Sequence, residues 1–327
     1  MSGSYAAGLV TAVVASYNHA KFLPDRMKSL LSQTYPKLNI LVIDDYSPDN
    51  SVEVLRSFEP NHKLKIIVKQ KNSGWASVSN EGIRLSNSEF ILFANCDDAC
   101  DAKMIASLVS VLEVNPTAGL AFCKSQMIDE NNQILGDDFE VREKSFRDRC
   151  QETTLLGGSE ITRFLLRSCV IPNLSAALFR HEALDQIGGF SEKYRVCCDW
   201  DLFFRIAESW DVVYVALPLN QFRQHAKTVR SATKSKIIFE EYFRLLLGRI
   251  RATPMSFHEA LATRINVTYL WGVNLLPPAR GLIQNIPYHL SCIFKADPIT
   301  LTLIPVGIVK RICELFFLKI PKKLFHG

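Results

Sequence analysis

The chain reads as an α/β protein, a mostly parallel sheet with helices on both faces, followed by a helical C-terminal extension. Three observations predict this. From residue 9 to about 217, short apolar, β-branched runs alternate with segments of helical period. The links between them are short, and such alternation implies crossover connections and parallel pairing. Beyond residue 231 the pattern changes to long apolar helices that carry lysine and arginine.

Leu9 to Ala15 is a buried strand that ends at the polar turn Ser16-Tyr17-Asn18. Pro24 opens a helix with Met27, Leu30 and Leu31 at i, i+3 and i+4, and it stops near Tyr35-Pro36. Leu38 to Ile43 is a second strand and runs straight into Asp44-Asp45. Asp49 or Asn50 caps a short helix, Lys65 to Val68 is a third strand, and Trp75 to Leu85 a helix. Phe90 to Ala94 is a fourth strand. Asp101 is expected to cap a helix with the stripe Met104, Ile105, Leu108, Val111 and Leu112, and Leu120 to Lys124 is a fifth strand. From 126 to 170 the pattern loosens. Asp129 to Asn132 predicts a turn between two strands, and the charged stretch Glu140 to Glu152 an exposed loop. Ser175 to Phe179 is a strand, followed by a short helix and Gly188-Gly189-Phe190. The amphipathic helix Asp199 to Glu208 and a last strand, Val212 to Leu217, complete the pattern.

With 327 residues, 48% hydrophobic and 22% charged, the chain can bury a sizeable core and is not disordered. Its net charge of +5 lies partly in the C-terminal third and does not by itself call for nucleic acid. Nine cysteines is an odd number without the spacing of a disulfide framework. Neither Cys96 with Cys100 nor Cys197 with Cys198 has a histidine or a second pair at zinc-finger spacing. Reduced core thiols and a reducing compartment are expected. Residues 1–20 lack the basic start, apolar centre and cleavage site of a signal peptide, so the expected location is cytoplasmic.

The chemistry gathers at strand ends. Asp97 and Asp98 stand side by side where the fourth strand leaves the core, and adjacent carboxylates repel unless a cation or donors neutralise them. Taken alone, the pair is open to two readings: a metal–diphosphate site, or a solvated acidic turn. In a parallel sheet, ligands sit beyond the carboxyl ends of the strands. The polar ends at 16–18, 44–45 and 95–98 therefore converge on one crevice. No glycine-rich phosphate loop follows the first strand, which argues against a nucleotidyltransferase or a dinucleotide-dependent oxidoreductase.

The run VTAVVASYNHAKFLPDRMKSLLSQTYPKLNILVIDDYSPDNSVEVL, then KNSGWASVSNEGI, FILFANCDDACD, SAALFRHEALDQIGGFSEKY, DWDLFFRIAE and FRQH, resembles glycosyltransferase family 2, inverting enzymes of the GT-A (Rossmann-like) fold. The likeness covers roughly residues 8 to 230, with the motifs in the family's order. It implies a GT-A catalytic domain over 1–230, with a donor half of about 1–125 and an acceptor half of about 126–230, and an extension over 231–327. It also implies that Ala15 and Tyr17 lie against the donor's nucleobase, that Asp45 bonds the base, often uracil, and that Asn72, Gly74 and Asn80 line the nucleotide. Asp97 neighbours ribose and diphosphate. Asp98 is the expected direct ligand of Mg²⁺ or Mn²⁺, with Arg223 and His225 reaching the diphosphate or metal. Asp199 is implied as general base, and Gly188, Gly189 and Phe190 as the acceptor loop. One departure stands out: relatives often read Asp-Ala-Asp-Asp where this chain has Asn95-Cys96-Asp97-Asp98.

The resemblance implies sugar transfer from a nucleotide-diphosphate sugar, a UDP-sugar first, to a hydroxyl of a glycan or lipid-linked saccharide in envelope polysaccharide synthesis. The alternative is a GT-A-like module that binds a nucleotide sugar without turning it over. For the extension two readings stand side by side. Gly281 to Phe294 and Ile299 to Phe325 are apolar, with Lys310, Arg311, Lys319, Lys322 and Lys323 interspersed, and fall short of a spanning helix. They form either a basic helix lying in the cytoplasmic membrane face or a cap packed on protein.

Overall fold

The computed structural model of the chain describes residues 5–226, 233, 235–275 and 286–317. It divides into two compact units, Met1–Lys193 with Cys198–Gln224, and Tyr194–Cys197 with His225–Gly327.

The first unit is built on one ten-stranded sheet. Its strands are β1 (Ala6–Ser16), β2 (Leu38–Asp44), β3 (Leu64–Val68), β4 (Ser88–Phe93), β5 (Ala99–Cys100), β6 (Ala118–Ile128), β7 (Ile134–Asp137), β8 (Thr154–Leu156), β9 (Ala177–Arg180) and β10 (Asp211–Arg223). The order is β3-β2-β1-β4-β9-β6-β10-β5, with β7 on β6 and β8 on β10. The long ladders, β1 with β2 and β4, β2 with β3, and β6 with β10, are parallel. The antiparallel ones are short, including β9 wedged between β4 and β6. β1 lies near the middle, and its run of buried residues, Val10 and Ala12 to Val14, is what a strand covered on both faces requires.

Helices α1 (Leu23–Leu31), α2 (Ser51–Arg56), α3 (Trp75–Leu85), α4 (Met104–Val114), α5 (Lys144–Arg149), α6 (Gly158–Arg167), α7 (His181–Ile187) and α8 (Cys198–Ala207) complete the unit. Proline at its start and buried Leu23, Met27 and Leu30 make α1 an amphipathic helix as read from sequence, but its buried face also carries Arg26. α3 comes close to β1 because Gly82 has no side chain. A Cβ there would lie 2.4 Å from Val13 Cγ1.

Two expectations need correcting. Asp101 does not cap α4. Its Oδ1 accepts the Lys103 N–H at 2.8 Å, while the two residues before it pair with β10 as β5. Residues 140–152 are not a plain loop, because Phe146 is buried and Glu143 accepts its N–H at the start of α5. β8 and α6 were not foreseen. Short antiparallel strands and a helix opened by Gly157-Gly158 carry little periodic signal.

The second unit is helical. It contains α9 (Ser235–Ala252), α10 (Phe257–Leu275), α11 (Ile286–Ala296), α12 (Pro298–Thr302) and α13 (Ile304–Phe317). α9 packs along α11, and α10 along α13. α10 and α13 approach closely at Gly307, where a Cβ would sit 2.3 Å from Thr268 Oγ1. Asp297 accepts from Arg264 Nε at 2.5 Å and Thr300 Oγ1 at 2.8 Å. Among the described residues no helix is long and apolar enough to cross a membrane. Pro277-Pro278, residues 281–285 and residues 318–325, with Lys319, Lys322 and Lys323, lie outside the described residues.

Candidate active site

Parallel register brings the carboxyl ends of β1, β2 and β4 to one edge of the sheet, with Ser16 opposite Asp44 and Val13 opposite Phe93. At the first end Ala15 is the next-to-last residue of β1 and Tyr17, just past it, is exposed. Asp44 is fully buried and accepts from Ser16 Oγ at 3.0 Å, Ser47 N at 2.9 Å and Ser47 Oγ at 2.6 Å, bonds that hold the chain as it leaves β2. Asp45 turns the other way. Its two oxygens accept the N–H groups of Ser73 at 2.9 and 3.0 Å and of Gly74 at 2.8 Å, while Asn72 Nδ2 donates to its backbone carbonyl at 3.2 Å. Gly74 has φ of +86° at the start of α3, a conformation that favours glycine. Asp45, Asn72 and Gly74 thus form one braced turn.

Asn80 is drawn elsewhere. Its amide clamps the backbone of Phe190, accepting the N–H at 2.7 Å and donating to the carbonyl at 3.0 Å. Gly188 and Gly189 both have positive φ, and a Cβ on Gly189 would meet Asn80 Oδ1 at 2.5 Å. Phe190 stacks edge-on with Phe93 and Trp75, so the Gly188-Gly189-Phe190 loop is fastened to both β4 and α3.

The two aspartates after β4 have opposite surroundings. The Asp98 side chain is 1% exposed and that of Asp97 22%. Asp98 Oδ2 accepts from Asn173 Nδ2 at 2.8 Å, and Oδ1 from the Arg223 N–H at 2.9 Å. Arg26, wholly buried, lies 3.9 Å from Oδ2 and donates to the Asn95 carbonyl at 2.7 Å and Ser175 Oγ at 3.1 Å. Asn95 Nδ2 reaches Asp98 at 3.4 Å, at the long edge of a hydrogen bond. An aspartate at 95 would instead set a like charge against it. Burial and the Asp97 charge push the Asp98 pKa up, against the pull of Arg26, Ser175 and the Arg223 N–H. Asp97 Oδ2 lies 4.0 Å from His19 Nε2. A carboxylate oxygen and an imidazole nitrogen that close are donors suited to a divalent transition ion.

Arg223 is also buried. It donates to the carbonyls of Asp97 at 2.7 Å and Asp129 at 2.8 Å, pairs with Asp25 at 3.1 Å, and packs on the Phe22 ring. Asp199 stands in the first turn of α8, half-buried, its Oδ1 accepting the Trp200 N–H at 2.7 Å. Asp201, two residues on and so on the opposite side of the helix, pairs with Arg205 at 2.7 Å, and Arg205 in turn holds the Ile187 carbonyl at 2.8 Å just ahead of the glycine loop. His225 is buried and opens the second unit.

Residues 11–188, more than half of the chain, match the family described as Glycosyl transferase family 2. The chain belongs to glycosyltransferase family 2. It is therefore a glycosyltransferase, and its sheet and flanking helices are the GT-A fold. Over 127 residues it is 30% identical to a poly-β-1,6-N-acetyl-D-glucosamine synthase of Staphylococcus epidermidis, covering 39% of this chain and 31% of that protein. Over 146 residues it is 27% identical to the glycosyltransferase GlyG of Streptococcus pneumoniae, covering 43% and 48%. The chain thus matches less than half the length of either. Among solved structures it resembles S. aureus TarS 1–349 in complex with UDP-GlcNAc, with a TM-score of 0.68 at 17% identity over 93% of this chain and 88% of that one. It also resembles the mannosyltransferase PcManGT of Pyrobaculum calidifontis in complex with GDP-Man and Mn²⁺, with a TM-score of 0.53 at 16% identity over 95% and 88%.

Three members of this family 2 site escaped sequence reading: Arg26, His19 and Asn173. Arg26 is hidden because a lone arginine in an amphipathic helix reads as a solvated charge. Only its place on the apolar stripe with Leu23 and Met27 marks it as inward. Arg26→Met should leave the Asp98 carboxylate buried without its cation. The expected cost is about 3–5 kcal/mol, the range for breaking a buried ion pair, read as a lower denaturant midpoint at unchanged m. A loss below about 1 kcal/mol would show that the pair is not what holds this strand end.

Proposed function

We propose that the chain moves a sugar from a UDP-sugar to an acceptor hydroxyl of a glycan or lipid-linked saccharide, with inversion at the anomeric carbon. The observation that carries this reading is the common edge of β1, β2 and β4, where the Asp45 turn and the partly exposed Asp97 stand on the strand ends either side of β1. The relatives that make or bind N-acetylglucosamine compounds support a UDP-linked donor, and envelope polysaccharide is the natural product class. The base would lie between Tyr17 and the Asp45-braced turn at 72–74, flanked by Ala15.

Asp97, not Asp98, is our choice for the metal ligand, with His19 beside it. Both Asp98 oxygens already accept protein N–H groups, so that carboxylate shapes the turn, and Asp97 is the more accessible of the two. Arg223 acts likewise through the Asp97 carbonyl and does not meet the diphosphate. His225 stays a candidate from the resemblance. A bound Mn²⁺ or Mg²⁺ would supply positive charge to the departing diphosphate. Asp199 would take the proton of the acceptor hydroxyl as its oxygen attacks, and the hydroxyl needs no strong base because it turns acidic only as the new bond forms. The glycine loop, pinned by Asn80, would present the acceptor to that carboxylate.

The second unit supports contact with a cytoplasmic membrane face. α13 turns Val306, Val309 and Ile312 outward, 46%, 58% and 38% exposed, with Lys310 beside them, while Gly307 faces α10. An outward apolar stripe edged by lysine suits an anionic lipid surface.

Three outcomes are expected. In a nucleotide-sugar turnover screen, Asp199→Asn should lower transfer by about 10²–10⁴-fold, the usual share of a general base, and leave UDP-sugar affinity within twofold. Equal turnover in the mutant would remove Asp199 from that role. By calorimetry, Mn²⁺ should tighten UDP binding to the native chain, and Asp97→Asn should abolish the gain; an ion that makes no difference to the native chain would end the metal assignment. With vesicles containing phosphatidylserine, the full chain should float, and Val306→Asp with Val309→Asp should stay in the load fraction. Equal flotation of the two proteins would favour the reading of this unit as a protein-packed cap.

A further inference from the structure

Glu241 lies in the middle of α9, a helix outside the stretch that matches the family, and it is buried. Its carboxylate accepts three successive backbone N–H groups, those of Arg195 at 2.7 Å, Val196 at 2.8 Å and Cys197 at 3.0 Å. Successive N–H groups that converge on one anion form a nest, normally a place where a protein binds a ligand's charge. Here the anion is a side chain 44 to 46 residues further along. Both partners belong to the second unit, which takes in Tyr194–Cys197 although the chain on either side of that stretch belongs to the first. Cys198 and Asp199 follow directly. A buried carboxylate bonded to charged-acceptor strength by three N–H groups costs far more to remove than a surface contact.

We propose that Glu241 is a positioning residue for catalysis: it fixes the backbone of residues 195–197 and thereby the entry into α8 that carries Asp199. The helical extension is then part of the catalytic apparatus, whatever surface it also meets. This rests on the reading of Asp199 as base. The extension supplies no atom to the reaction, and its effect passes along three residues of backbone. Misplacing a reacting group by about 1 Å can cost about 10²-fold in rate, so a loose entry would slow chemistry without loosening the donor.

The test uses the full-length chain with Glu241→Gln and Glu241→Asp. Gln keeps the size but loses the charge and turns two donors toward donors, whereas Asp keeps the charge one carbon shorter. Hydrogen exchange should speed at least tenfold at residues 195–197 in Glu241→Gln, with α10 and α13 as protected as before. Turnover should fall about ten- to a hundredfold while KM for the UDP-sugar and the affinity for UDP stay within twofold, and Glu241→Asp should recover part of the lost turnover. Unchanged exchange at 195–197 would overturn the clamp. Faster exchange there with native turnover, or an equal loss of donor affinity, would overturn its role in positioning. Should Glu241→Gln lose protection throughout the helices, Glu241→Asp decides by the same readings. If Asp199→Asn keeps native turnover, the base assignment fails separately, and the exchange result still reports on the clamp.

Discussion

A carboxylate carried into a protein interior must be matched by donors or it loses its charge, and Asp98 is matched from three directions. Arg26 comes from α1, Asn173 from the segment before β9, and the Arg223 N–H from the end of β10. Each is distant in sequence, so one buried group ties the turn after β4 to a helix and to the strands beyond it. Arg223 repeats the device from the other side. Its side chain gathers Asp97, Asp129 and Asp25, so the turn is gripped through side chain at one residue and through backbone at the next. The turn that carries Asp97 is held rigid before any ligand arrives, as preorganised sites require.

The same division of labour recurs along the strand edge. Asp44 and Asp45 are both buried, whereas of the pair in the turn after β4 only Asp98 is. Asp44 is consumed by Ser16 and Ser47, and Asp98 by Arg26 and Asn173, while Asp45 braces the 72–74 turn and Asp97, partly exposed, lies 4.0 Å from His19. Asn80 and Gly189 extend this frame. The missing Cβ at 189 is what allows an asparagine amide to lie flat on the Phe190 backbone, and a bulkier residue there would push the loop from α3.

Much of this was legible in the sequence, for physical reasons. Alternation of apolar runs with helical stripes marks buried parallel strands strongly, and β1 to β4 followed from it, while the GT-A arrangement came from the resemblance to the family. The polar strand ends at 44–45 and 97–98 stood out because charge so seldom follows a buried run. What sequence could not say is which partners each aspartate meets, since that depends on donors such as Asn173 and Arg26 whose position is set only by folding. Short antiparallel strands such as β5 and β8 escaped because two or three residues have no period. Glu241 looked like one more charge on a helix, and nothing local marks a side chain whose partners are backbone groups 44 residues away.

The charge left at the site then has a consequence for the order of events. Asn95 is neutral and Asp98 is matched by Arg26, so of the positions where relatives often carry three carboxylates, Asp97 alone brings a charge to the open side. Hard divalent ions shed water reluctantly and are commonly held by one or two carboxylates together with substrate phosphates. A single carboxylate is a weak anionic seat for such an ion until the diphosphate adds its own oxygens. On the proposed reading, therefore, the ion and the nucleotide sugar are taken up together, each raising the affinity for the other by the same factor. On the same reading Arg26, 3.9 Å from the Asp98 carboxylate, strengthens that coupling by leaving less free negative charge to hold the ion alone.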